Sequence, residues 1–311
     1  MPHALINYPH IASMVFDTPL YATPTLVQSV RTVLEPRLLG KAADLPNGVS
    51  LDGGNPEERE MQRLQVVGRL AIIPVDGILV ARRGTINAAC EELVSYERLR
   101  TQITAALKHE MVEEIVLDFH TGGGHAMGCK ELADFIQASR QVKPITALVN
   151  FAAYSAGYFL ASACSRIVCS PTAGVGSIGV IIETYEVSRM EEEMGITFNT
   201  FFRGDHKNDG SPHEPITDQA IAEINHRLDA HYATFTESVA GYRGMDVADV
   251  VATQARLYSA EDALAAKLID EIAPAQDAVD AIAQRYASSS RTSSGRRIRA
   301  QARALDAQCR L

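Results

Sequence analysis

Three stretches of this 311-residue chain carry groups whose type and spacing could do chemistry. In Ala152-Ala-Tyr-Ser155-Ala-Gly-Tyr-Phe-Leu, a serine sits among small residues that would let a substrate backbone approach closely. The stretch half-matches a nucleophile elbow, with Ala153 where the first glycine would stand. The plain alternative is a serine that only caps a helix. A nucleophilic serine needs a base, and Phe201-Phe-Arg-Gly-Asp-His-Lys-Asn-Asp-Gly-Ser-Pro supplies two candidates, His206 and Lys207. A lysine acts as a base near neutral pH only where desolvation keeps it uncharged. Phe201 and Phe202 could provide that, while Asp205 and Asp209 would oppose it. By itself, a lysine in such a loop would be a solvated side chain.

The third stretch is Asp118-Phe-His-Thr-Gly-Gly-Gly-His-Ala. Glycines after a strand turn the backbone and present N–H groups, which suits a phosphate or an oxyanion. A dinucleotide loop does not fit, because the spacing from Gly122 is GxGxxxG and the next strand ends in Asn150. A Walker loop also fails, since Cys129 separates Gly128 from Lys130. Oxyanion stabilisation is the preferred reading, against a mere strand-to-helix turn. A Ser-His-Asp triad could be drawn from Ser155, His120 or His206, and Asp118 or Asp205. It ranks below the Ser-Lys pair.

These groups need rigid elements behind them. Apolar periodicity predicts strands at Arg69–Pro74, Gly77–Val80, Glu114–Phe119, Ile145–Asn150, Arg166–Ser170, Ser177–Val187, Ile196–Arg203 and Leu268–Glu271. Helices are predicted at Thr25–Leu38, Ser95–His109, His125–Val142, Tyr154–Cys164, Ser188–Met194, from Thr217 to about Arg243, and after Ser259. Such alternation means an α/β fold with a mainly parallel sheet, whose sites form at strand ends. Residues 1–65 read as a proline-punctuated N-terminal arm, 66–287 as the catalytic domain, and 288–311 as a flexible Ser- and Arg-rich tail.

Composition removes other classes. The chain is 46% hydrophobic with 38 acidic and 29 basic side chains, a net charge of −9. That balance, 6% aromatics and no tryptophan argue against a nucleic-acid binder. The five cysteines form no CxxC pair, and Cys164 and Cys169 read as small core residues. The scattered histidines, His226 and His231 included, lack metal-site spacing, so no metal and no cofactor is expected. A secretory signal is not expected, because the N-terminus lacks a cationic start followed by a continuous apolar core. Neither is a membrane span, since Asn150, Tyr154, Ser155 and Gly157 interrupt the longest apolar run. The expected location is the cytoplasm.

The order of the motifs resembles the signal peptide peptidase A family of serine peptidases, in the Clp protease/crotonase superfamily. From about Val67 to Ile272 come the strand and glycine loop, the Ala-Tyr-Ser-Ala-Gly-Tyr helix, Gly176-Ser-Ile-Gly-Val, and His206-Lys207. The likeness is strongest to the tailed-phage capsid assembly (prohead) protease branch. It is carried by His10-Ile-Ala-Ser-Met-Val-Phe-Asp-Thr-Pro-Leu, by His206-Lys-Asn-Asp-Gly-Ser-Pro, and by Tyr242-Arg-Gly-Met with Ala255-Arg-Leu-Tyr-Ser-Ala-Glu-Asp-Ala.

The resemblance implies a crotonase-like spiral of ββα units that commonly forms homo-oligomers. It implies Ser155 as nucleophile, Lys207 as general base, Ser177 to position the lysine, and the N–H groups of Gly123 and Ala156 as oxyanion hole. The family's usual Ser-Pro-Gly-Gly loop reads His120-Thr-Gly-Gly here. The implied partners are polypeptides, namely scaffold, portal or coat precursors cleaved in the procapsid. Competing readings are a bacterial signal-peptide-peptidase-like cytoplasmic protease, an acyl-CoA hydratase or isomerase on the same fold, and a non-catalytic assembly protein.

Overall fold

The computed structural model describes residues 16–38, 64–83 and 93–287. The predicted tail at 288–311, most of the His10 motif, and Cys90 and Cys309 lie outside the described residues. The strands are β1 (Leu20–Ala22), β2 (Gln65–Val67), β3 (Leu70–Val80), β4 (Val94–Ser95), β5 (Glu114–His125), β6 (Ile145–Tyr154), β7 (Arg166–Cys169), β8 (Gly174–Gly176), β9 (Leu257–Ser259) and β10 (Glu271–Ile272). The helices are α1 (Pro24–Leu38), α2 (Tyr96–Lys108), α3 (Cys129–Ser139), α4 (Ala156–Ser162), α5 (Ser188–Glu193), α6 (Asp218–Arg243), α7 (Val247–Val251), α8 (Ala260–Ala265) and α9 (Ala275–Ala287).

The sheet runs β10-β7-β6-β5-β3-β2, and every neighbouring pair from β10 to β3 is parallel. The fold is therefore α/β with a mostly parallel sheet, as the alternation of elements implied. Strands β5 and β6 are apolar on both faces because both faces are covered. On one face Ile115, Leu117, Ala147 and Val149 join the main core with Leu99, Ile103, Ile136, Phe159 and Phe235. On the other, Leu70, Val116, Leu148 and Val168 pack under Ala278 and Ile282 of α9. Helix starts obey local chemistry. Ser95 and Thr217 accept from the Arg98 and Ala220 N–H groups as N-caps of α2 and α6.

The structure corrects several boundaries. The Gly122–Gly124 run is not a turn. It continues β5 to His125, pairing with Ile78 and Leu79 of β3 after a register shift. The two short strands predicted before it are one strand, β3, whose register against β5 shifts between Asp76 and Ile78. Strand β6 runs on to Tyr154, so α4 starts only at Ala156.

Two predicted strands are missing. In 177–187 only bridges to Leu20 and Phe16 form, because Gly176 and Ser177 have φ of 113° and 55° and turn the chain out of the sheet. Residues 196–203 form no strand either. They pair with no strand among the described residues, and Phe201 is 92% exposed.

Candidate active site

At their C-terminal ends β5 and β6 separate. They pair through His120↔Ala152 and Thr121↔Ala153. Beyond that point β6 turns to β8, with Ala152↔Gly174 and Tyr154↔Gly176, while β5 runs on along β3. Ser155 stands at the mouth of this split, between the end of β6 and the start of α4. Its backbone has φ 54° and ψ −116°, a sparsely populated conformation that costs on the order of 1–3 kcal/mol and persists only when its surroundings enforce it. One such restraint is the bond from its N–H to the Gly176 carbonyl at 2.8 Å. Tight packing behind is another, since a Cβ on Gly157 would come 2.4 Å from the Thr121 methyl.

The Ser155 side chain is fully buried, and among the described residues its Oγ has no hydrogen-bond partner. Such an orphan hydroxyl, held on a strained strand-to-helix turn, is what a nucleophile awaiting its base and substrate requires. Gly123 is in contact with it. A Cβ on Gly123 would lie 3.0 Å from the Ser155 Cβ and 2.1 Å from the Tyr21 carbonyl oxygen. With φ at 111° as well, only glycine fits there.

Ser177 follows Gly176, the acceptor of the Ser155 N–H, and its own N–H donates to the Arg256 carbonyl. The topology thus sets Ser155 and Ala156 beside Gly123, with Ser177 one residue past the acceptor of the Ser155 N–H. Sequence reasoning missed Thr121. Its hydroxyl accepts the Gly123 N–H at 3.0 Å and donates to the Gly77 carbonyl at 2.6 Å, holding the glycine peptide in place. A polar side chain buried beside glycines was the only signal for it.

Lys207 lies elsewhere than its desolvated expectation. It sits on a 3-10 turn, Asp205–Asn208, with its side chain exposed, and it does not bond the Ser155 hydroxyl within one chain. His206 is engaged by Asp209 at 2.7 Å, which raises its imidazole above the usual range. The exposed His120 faces Asp76 at 3.2 Å and packs on the Phe151 ring. Burial lifts Asp118 above the usual carboxylate range, against a hydrogen bond from Asn150. Neither histidine is bonded to Ser155, so a Ser-His-Asp arrangement is not assembled here.

Residues 137–288 match the model of peptidase family S49. Over 309 residues, 95% of this chain and 70% of the relative, the chain is 32% identical to capsid assembly protease C of Escherichia phage lambda. The chain belongs to peptidase family S49. This S49 chain is also 30% identical over 292 residues to head-tail preconnector protein GP5 of Enterobacteria phage P21, covering 89% of itself and 57% of that relative. Among solved structures, a mutant of the 1510-N membrane-bound stomatin-specific protease is similar at a TM-score of 0.42 and 17% identity, over 69% of the S49 chain and 84% of that chain. No helix among the described residues is long and apolar enough to cross a membrane.

Proposed function

We propose that this S49 chain is a serine endopeptidase of capsid maturation in a tailed phage or prophage, with Ser155 as nucleophile and Lys207 as general base. The observation that carries the reading is the strained, buried and unbonded Ser155 packed against Gly123. Neutral Lys207 takes the hydroxyl proton while Ser155 attacks a peptide carbonyl, forming a tetrahedral oxyanion. The N–H groups of Gly123 and Ala156 hold that oxyanion, the first exchanging its bond to Thr121 for one to substrate. Collapse breaks the C–N bond as the lysine ammonium gives its proton to the leaving amine, which leaves an acyl-enzyme and a neutral lysine. Water, deprotonated by the same lysine, then frees the acid.

Ser177 positions the lysine. Exposure of Lys207 in a single chain, beside the exposed Phe198, Phe201 and Phe202, supports a homo-oligomer in which a second copy covers this segment and desolvates the amine. The names of the phage lambda and P21 relatives support scaffold, portal or coat precursors as substrates, met in the host cytoplasm inside a procapsid. Incubation with coat, portal and scaffold precursors tests this. The native chain yields discrete fragments and Ser155→Ala none; equal cleavage by both would refute it.

A further inference from the structure

The split between β5 and β6 is not empty. Strand β1 lies in it, antiparallel to β5, with Leu20↔His125, Tyr21↔Gly124 and Ala22↔Gly123. Its ends are fastened by the Thr23 N–H to the Gly122 carbonyl at 3.0 Å and the Ala126 N–H to the Pro19 carbonyl at 3.2 Å. The other edge of the same segment pairs with the chain leaving Ser177. Leu20 and Ile181 exchange N–H to carbonyl bonds at 2.9 and 3.0 Å, and the Asp17 N–H donates to the Glu183 carbonyl at 3.0 Å. An extended segment hydrogen-bonded along both edges is how a sheet receives a peptide by strand addition.

This segment also lies beside Ser155, on the far side of Gly123. The Tyr21 carbonyl and the Ser155 side chain flank Gly123, since both crowd the place where its Cβ would be. The Tyr21 ring is 1% exposed and fills a pocket whose walls are Phe159, one turn after Ser155, and Phe235 of α6. Its hydroxyl donates to the His231 carbonyl at 2.8 Å. Leu20 and Ala22 point the opposite way, under Val27 of α1.

We propose that Asp17–Thr23 occupies the peptide groove of the Ser155 site in cis, as a resident pseudosubstrate that keeps the nucleophile closed until the arm is released. This rests on the assignment of Ser155 as nucleophile. It also names the ligand class: an extended polypeptide held between Gly122–Ala126 and Ile181–Glu183, with an aromatic side chain entering the Phe159–Phe235 pocket.

The test uses the full chain and the rate at which a fluorophosphonate labels Ser155. Leu20→Pro removes the N–H that bonds Ile181 and disfavours the added strand. The pair Leu20→Cys with Ile181→Cys places cysteines at directly opposed positions, where strand spacing suits a disulfide. The proposal expects labelling at least about tenfold faster in Leu20→Pro. In the oxidised double variant it expects labelling at least about tenfold slower than in the same protein after reduction. The disulfide arm stands even if Leu20→Pro fails to fold. Ser155-dependent labelling that is the same in the oxidised and reduced forms overturns the proposal and leaves the nucleophile assignment intact. Absence of Ser155 labelling in every form, reduced and released included, overturns both.

Discussion

The Ser155 N–H donates to the Gly176 carbonyl at 2.8 Å, tying the end of β6 to the last residue of β8. Through that one bond the two unusual conformations of the site, at Ser155 and at Ser177 after Gly176, support each other. The turn therefore stays bent even though a serine there is strained.

Strain at Ser155 has a measurable consequence. Glycine adopts the Ser155 conformation more easily than a side-chain-bearing residue does. Ser155→Gly should therefore unfold at a higher denaturant midpoint than Ser155→Ala, by about 1 kcal/mol, with both variants inactive. Chemical denaturation of the pair checks this. A glycine variant no more stable than the alanine variant would mean that the turn is unstrained.

The Thr121 hydroxyl accepts the Gly123 N–H, and in the proposed reaction it orients that peptide. Thr121→Val should lower kcat/KM about tenfold, which is about 1.4 kcal/mol of barrier, and Thr121→Ser should restore most of it. Steady-state hydrolysis of a fluorogenic peptide reads both. Loss in the serine variant too would show that the methyl, packed near Gly157, matters more than the hydroxyl.

Lys143 offers a pH signature outside the site. Its ammonium donates to the Ala106 and His109 carbonyls at 2.9 and 2.8 Å, and burial lowers it to about 8 from an ordinary 10.5, against the opposing pull of Glu113. Between those values the unfolded chain binds more protons than the folded one, so this group adds stability as pH rises through the window. Lys143→Met should lose that rise and also weaken folding by about 1–2 kcal/mol, through the unpaired carbonyls. Denaturation midpoints of both proteins across the window give the comparison, and parallel curves would contradict it.

Phe201, at 92% exposure, tests the assembly reading. Phe201→Asp should shift the sedimentation profile toward monomer and lower peptidase activity together, because a neighbour's cover is what desolvates Lys207 in this account. An unchanged oligomer with full activity would contradict this reading, and a fully active monomer would separate assembly from catalysis.

Much of this architecture is legible from residue order. The Ile115–Leu117 and Ala147–Val149 runs of β5 and β6 are continuous apolar stretches because they are buried on both faces, and Thr217 announces α6 by its cap. Where reading failed, a partner distant in sequence decided the outcome. Leu20–Ala22, four residues after Phe16 and bracketed by Pro19 and Pro24, looks like a linker until β5 supplies its edge. Gly122–Gly124 has poor strand propensity yet pairs on both sides. The aromatic residues around Lys207 suggested a buried amine, but burial depends on what packs over them and is not written in the segment itself.

The central claim is that Ser155 attacks and Lys207 takes its proton. Intact-mass and peptide mass spectrometry after prolonged exposure to a fluorophosphonate tests it most directly. The account predicts one adduct, on the peptide containing Ser155, absent from Ser155→Ala and slowed at least about a hundredfold in Lys207→Ala. An adduct that persists in Ser155→Ala, or forms at the native rate in Lys207→Ala, would contradict it.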